Sequence, residues 1–224
     1  MRPQLKELND NPYLEDAHQY QSQRFSTPSW GNVSALGTFE WMADDELRAT
    51  DDGLLMQTQV LAYCEDAVKE VGTSCFQSPF GNNPRNFGWG CLAENCCCQA
   101  FVLLYADLLT GTTKYRRYAL QNADYLLGRN ATGYCYVTGF GDKSPMHPHH
   151  RISEADQVEA PFPGMLVGGP NPGQQDKRDM KAAVYPSNYP DESYIDNMES
   201  YASNEIAINW NASLVAFLCY LDAL

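Results

Sequence analysis

Basic side chains are scarce in this sequence: 15 lysines and arginines stand against 28 aspartates and glutamates, a formal charge of −13 over 224 residues. A surface of that sign repels phosphate backbones and anionic lipid, so neither nucleic acid nor a membrane is an expected partner. No uninterrupted run approaches the roughly 18 apolar residues of a spanning helix. Residues 1–10 lack the apolar centre of an export leader. Charged residues make up only 19% of the chain, but 44% is hydrophobic and 12% aromatic, which excludes a disordered acidic tail. At about 150 residues per domain, residues 1–224 read as a single domain with a core of its own.

Paired CxxC knuckles are also missing. The eight cysteines are Cys64, Cys75, Cys91, Cys96, Cys97, Cys98, Cys135 and Cys219. On a helix, consecutive side chains point about 100° apart, so Cys96, Cys97 and Cys98 do not converge on one tetrahedral metal. They read as small buried thiols; a bridge such as Cys64 to Cys75 stays open, because spacing does not determine pairing. No metal and no cofactor is expected.

What is present is mostly helix. A short segment is expected over 35–47 and a longer one over 53–71, where Leu54, Leu61 and Val68 fall at sevenfold spacing with Leu55, Ala62 and Val71 beside them. Residues 92–109 are apolar nearly all round, as a buried helix is. The pattern resumes over 113–127 and stops at Gly128. A closing helix is expected over 204–221, with Ile206, Trp210, Leu214, Phe217, Leu218 and Leu221 on one face. No segment alternates with period two, so the fold class is all-α.

Between these helices lies a stretch of about 70 residues, 130–201, that holds eight of the 13 prolines. Unstructured connections longer than about 12–15 residues are uncommon in compact domains and are usually functional or disordered. Tyr134, Tyr136, Phe140, Phe162, Tyr185, Tyr189 and Tyr194 argue against disorder. The stretch reads as ordered loops over one end of a helical scaffold, and function is expected there.

Two constellations in it carry chemistry. Three of the four histidines, His147, His149 and His150, precede Arg151. Gly139 and Gly141 let the backbone turn tightly beside a ligand, and the His and Arg heads offer donors suited to sugar hydroxyls. The second constellation, 194–211, holds Asp196, Glu199, Tyr201, Glu205 and Trp210. Glu205 falls in the first turn of the expected closing helix. There spacing alone reads it first as an ordinary capping and dipole residue; against that, hemmed in by Tyr201, Ile206 and Trp210, it reads as a carboxyl kept protonated by apolar surroundings.

These segments resemble glycoside hydrolase family nine, the cellulases built on an (α/α)6 barrel. The likeness runs through 124–130, 136–151, 163–173 and 194–212, and more faintly through Phe87 to Gly90 and Ser29 to Gly31. It implies inverting hydrolysis of β-1,4-glucan such as cellulose or cellooligosaccharides. By position, Glu205 is the implied proton donor, Asp196 a signature aspartate that shapes the site's electrostatics, and His149 and Arg151 the sugar ligands. Trp89, Tyr201 and Trp210 are the implied aromatic walls, since sugar rings stack their C–H faces on aromatic rings.

Two departures qualify this. The segment after Trp89 and Gly90 continues as Cys91, Leu92, Ala93, Glu94, Asn95 rather than with the Ser and Arg of many relatives. The paired-aspartate motif that supplies the family's base is not found; Asp44, Asp45, Asp51 and Asp52 read as a solvated linker. The resemblance therefore implies about the carboxy-terminal half of the barrel. It expects either a missing amino-terminal half or self-association as partner, and an extracellular location. A catalytically silent glucan-binding protein is the alternative. Sequons at Asn32, Asn130 and Asn211 carry meaning only in a eukaryotic secretory pathway.

Overall fold

The computed structural model describes residues 24–69, 71–181 and 184–223. Residues 1–10, read above for a leader, lie outside the described residues. Where the sequence suggests one domain, the chain divides into two compact units, one up to Asp66 and one from Ala67.

In the first unit, the helix expected over 35–47 is two: α1 (Ser34–Met42) and α2 (Asp45–Arg48). Asp44 causes the break. Its backbone is extended, and its carboxylate accepts the Glu46 and Leu47 amides at 2.9 and 3.0 Å, a side-chain cap that starts a new helix. Asp45 pairs with Arg48, while Asp51 and Asp52 occupy the first turn of α3 (Asp51–Val68), at the positive end of its dipole. The acidic run is thus two helix starts rather than a linker. The buried stripe of α3 is also not the expected one. Gly53, Met56, Val60 and Cys64 are buried, and Leu54 is exposed. A Cβ on Gly53 would lie 2.5 Å from the Leu47 and Arg48 carbonyls, so the first turn of α3 sits directly on the end of α2 and sets which face turns inward. Phe25 packs edge-on against Phe39 and Tyr63, centroids 6.0 and 5.4 Å apart.

The second unit is built on a wide π turn (Leu92–Cys97) leading into α4 (Cys98–Thr110), with α5 (Arg116–Leu126) and the closing helix packed on it. The 19 residues from Leu92 to Thr110 are long and apolar enough to cross a membrane, contrary to the reading from uninterrupted runs. Val102, Leu103, Leu104 and Ala106 are buried in the fold, however, which is the position of a core helix. Asn122 pins the packing. Its amide donates to Gln99 (2.9 Å) and the Cys96 carbonyl (3.3 Å), and its oxygen accepts from Ser78 (2.7 Å) and the Phe80 amide (3.0 Å).

None of the eight cysteines is joined in a disulfide, so Cys64 and Cys75 are not bridged; six are buried, and Cys75 and Cys219 are exposed. Burial pushes the Cys91 thiol up to about 12 and holds Cys96 and Cys97 well above the usual range, so these are neutral packing groups. The long loop region is ordered by isolated bridges and two short helices, α6 (Arg151–Ala155) and α7 (Tyr201–Asn204), before α8 (Ile208–Asp222) closes the chain.

Candidate active site

The loops meet on segment 164–170. Along one edge, Gly164 N donates to Thr138 O (2.8 Å), Thr138 N to Met165 O (2.9 Å) and Val167 N to Tyr136 O (3.2 Å). Along the other, Gly168 N donates to Glu205 O (3.1 Å) and Gly169 N to Ser203 O (2.8 Å). Leu92 N reaches Gly168 O (3.2 Å), and Gly88 N reaches Pro170 O (3.1 Å). Three stretches far apart in sequence are therefore stitched to a fourth by main-chain bonds. Close approach requires glycine at the junction: a Cβ on Gly90, at φ +57°, would stand 2.3 Å from the Trp210 indole nitrogen.

Glu205 is not in the first turn of the closing helix. α7 ends at Asn204, Glu205 is extended (φ −70°, ψ 152°), and α8 begins three residues later behind Ala207, which offers no side-chain cap. The helix breaks because its carbonyls are used elsewhere: Asn204 O accepts the His149 amide (2.8 Å) and Glu205 O accepts Gly168. His149 and Glu205 form a parallel bridge, and Ile206 pairs with Val167. The capping reading of Glu205 thereby falls. Its side chain is half-buried, and among the described residues no group hydrogen-bonds its carboxylate.

Beside it lies a continuous set of rings. His149 Nδ1 is 2.6 Å from Met198 O; only an N–H satisfies a carbonyl, so Nδ1 carries a proton and Nε2 is the ring nitrogen this bond leaves uncommitted. The His149 ring meets Tyr201 edge-on at 6.2 Å, and Tyr201 stacks on Trp89 at 6.0 Å with 20° between planes. Trp89 is 42% exposed. The Tyr201 hydroxyl donates to Asp179 (2.6 Å).

Two of the expected site residues, Asp196 and Trp210, are engaged by the protein's own bonds and packing. Both carboxylate oxygens of Asp196 are occupied, by the Met146 and His147 amides (2.8 and 2.9 Å) and by the Asn204 side chain (3.2 Å). It straps the histidine segment to α7. Trp210, expected as a wall, is 6% exposed, its indole packed under Gly90 and Gly168; it supports the floor. Arg151 stands exposed at the start of α6 and takes no part in these bonds.

Gly139 and Gly141 make room for the protein's own chain, at Pro163 and Cys135, rather than for a ligand. Two sequons are structural as well. Asn130 is buried and donates to Tyr125 O and Tyr134 O (2.7 and 2.8 Å), and Asn211 accepts the Leu166 amide (2.9 Å).

Sequence reading missed Asn204 and Asp176. Asn204, fully buried, donates to His147 O (2.7 Å) and accepts the Tyr194 hydroxyl (2.6 Å). Burial holds the Tyr194 phenol well above its ordinary range, so it stays a donor. Asp176, also fully buried, bonds Tyr185, Ser200 and the Ala202 amide. Nothing in the spacing of either residue marks it; only the tertiary bonds do.

Comparison with known proteins places this arrangement. Residues 4–218 match the family described as Glycosyl hydrolase family 9. The xyloglucan-specific endo-beta-1,4-glucanase BoGH9A of Bacteroides ovatus is 51% identical over 215 residues, covering 95% of this chain and 36% of that protein. Endoglucanase D of Acetivibrio thermocellus is 31% identical over 215 residues, covering 93% of this chain and 31% of its own length. A solved structure of Bacteroides ovatus GH9 superposes with a TM-score of 0.82 at 46% identity, covering 94% of this chain and 36% of that one. The chain thus spans about a third of the length of these relatives. With the helical scaffold and the stitched loops in agreement, the chain belongs to glycosyl hydrolase family 9, as a carboxy-terminal portion of its (α/α)6-barrel domain.

Proposed function

We propose that this chain carries the acid side of a β-1,4-glucan hydrolase. The observation that carries the reading is the Glu205 carboxyl: half-buried, unclaimed by any described donor, and fixed through its backbone beside a Trp89–Tyr201–His149 shelf that opens to solvent at Trp89. A glucose ring lies with its C–H face on Trp89 and Tyr201. His149 Nε2 and the Arg151 guanidinium bond its hydroxyls, and Glu205 gives its proton to the departing glycosidic oxygen. A neutral polymer needs no complementary charge, so the acidic surface does not oppose binding.

Inversion requires a second carboxylate, about 6.5–9.5 Å away, to activate water. Asp196 is strapped as described, and Glu199 accepts the Lys181 amide (2.8 Å), so both carboxylates already serve the loops' own bonding. The proposal assigns the base to a part of the enzyme outside these 224 residues. Since BoGH9A is named for xyloglucan, that branched β-1,4-glucan heads the substrates to try beside unbranched ones. Action outside the cell belongs to the same proposal, because polymeric glucan does not cross the envelope. The engagement of Asp196 and Glu199 also favours a second reading, in which the chain alone binds glucan without cutting it.

Affinity electrophoresis in gels containing xyloglucan or β-glucan, run beside reducing-sugar assays, tests both. Retarded migration is expected for the chain alone. Hydrolysis is expected when the rest of the barrel is supplied, and Glu205→Gln should abolish it while leaving the retardation. Free migration in every β-1,4-glucan would overturn the proposal.

A further inference from the structure

We propose that Asp176 is a positioning residue for Glu205, holding from outside the helical turn on which the proton donor ends; the inference rests on the reading of Glu205 as the acid. α7 has four residues, far too few to persist as an isolated helix. Its N-cap, Ser200, makes no side-chain capping bond of its own. Asp176 supplies the cap from 26 residues away, its Oδ2 accepting the Ala202 amide at 2.7 Å and the Ser200 hydroxyl at 2.8 Å. The Tyr185 hydroxyl donates to the same carboxylate (2.9 and 3.2 Å), and Ser200 and Ser203 share a further bond of 2.8 Å.

Among the described residues, every group bonded to this carboxylate is a donor: two hydroxyls and one amide. A carboxylate, with acceptor sites only, satisfies all three, whereas the NH2 of an asparagine would face a donor. Burial pushes the Tyr185 phenol up to about 12, so it keeps the proton it donates. The turn held in this way carries Tyr201 of the aromatic shelf and Asn204, whose carbonyl receives the His149 amide. The next residue is Glu205, whose carbonyl receives Gly168. Loosening Asp176 therefore releases the acid and the shelf together, while α4 and α8 keep their own packing.

The test uses the full 224-residue chain and the variants Asp176→Asn and Tyr185→Phe. Amide exchange by NMR reads His149 and Gly168, which bond Asn204 and Glu205, with the amides of 102–106 in α4 as reference; calorimetry reads cellotetraose binding. Asp176→Asn should speed exchange at both site amides by about tenfold or more and leave the reference unchanged. It should weaken cellotetraose by a similar factor, with Tyr185→Phe in between. Unchanged exchange at His149 and Gly168, or equal loosening of the reference helix, would overturn the inference. If Asp176→Asn fails to fold, Tyr185→Phe decides by the same two amides. If the unmodified chain gives no heat with cellotetraose, the catalytic reading fails, and exchange still decides the role of Asp176.

Discussion

Two tryptophans show how far residue type alone carries. Trp89 and Trp210 are equally good stacking platforms on paper, but one is half open and stacked on Tyr201, and the other lies beneath two glycines. Trp89→Ala should weaken cellooligosaccharide binding by roughly 2- to 10-fold, the scale of one aromatic contact, and leave the melting temperature nearly unmoved. Trp210→Ala should instead cost about 3–5 kcal/mol of stability, as large core truncations do, measured by urea denaturation. Equal effects of the two on binding, with no loss of stability, would contradict the placement. The residues of the site were legible in the sequence as types: the histidine cluster, Glu205, Tyr201 and Trp89 were all singled out. Their division of labour was not. Exposure separates the tryptophans, and hydrogen bonds separate Asp196 from Glu205, whose carboxylate none of the described residues claims. Spacing encodes neither property.

Elements were readable where periodicity is strong and unreadable where a distant bond intervenes. α3, α5 and the π turn taken together with α4 (Leu92–Thr110) fall within a few residues of their expected bounds, because their apolar patterns and stop signals are local; the change to π geometry over Leu92–Cys97 was not expected. The closing helix was expected to be continuous, but it breaks at 205–207. The Asn204 and Glu205 carbonyls are captured by His149 and Gly168, partners more than 30 residues away that no local window contains. The stripe on α3 was misread for a similar reason, since contact with the end of α2 at Gly53 sets its rotation. The capping bonds of Asp44 are local and testable. Asp44→Ala should cost about 1 kcal/mol, read as a lower urea midpoint at unchanged slope. No change in midpoint would return that aspartate to the solvated linker the sequence suggested.

For the whole molecule, the buried thiols set a response to alkali. An ordinary thiol ionises near 9, whereas folded Cys91 holds its proton to about 12. Between those values the unfolded chain binds fewer protons than the folded one, so stability present below pH 9 is lost as pH rises toward 12, by up to about 1.4 kcal/mol per pH unit for this group. Tyr185, raised to about 12 mainly by burial, adds loss of the same sign above pH 10. Urea midpoints at pH 7, 9 and 10.5 should fall in that order. In the native state a thiol reagent should titrate two cysteines, Cys75 and Cys219, and all eight after denaturation. A midpoint that holds or rises with pH, or a third fast thiol, would contradict the burial. Ile208, Val215 and Leu218 project apolar surface from α8, at 93%, 58% and 38% exposure. Sedimentation velocity should accordingly show self-association that grows with concentration and weakens in Val215→Lys.

The account turns on whether the carboxyl at Glu205 faces bound glucan. Carbon-13 NMR of the side-chain carboxyls, with Glu205→Gln used to assign the signal, answers this when cellotetraose is titrated into the chain. The account predicts a saturable displacement of the Glu205 signal by cellotetraose and none by maltotetraose, its α-linked isomer. A Glu205 signal that stays fixed while cellotetraose demonstrably binds would contradict it.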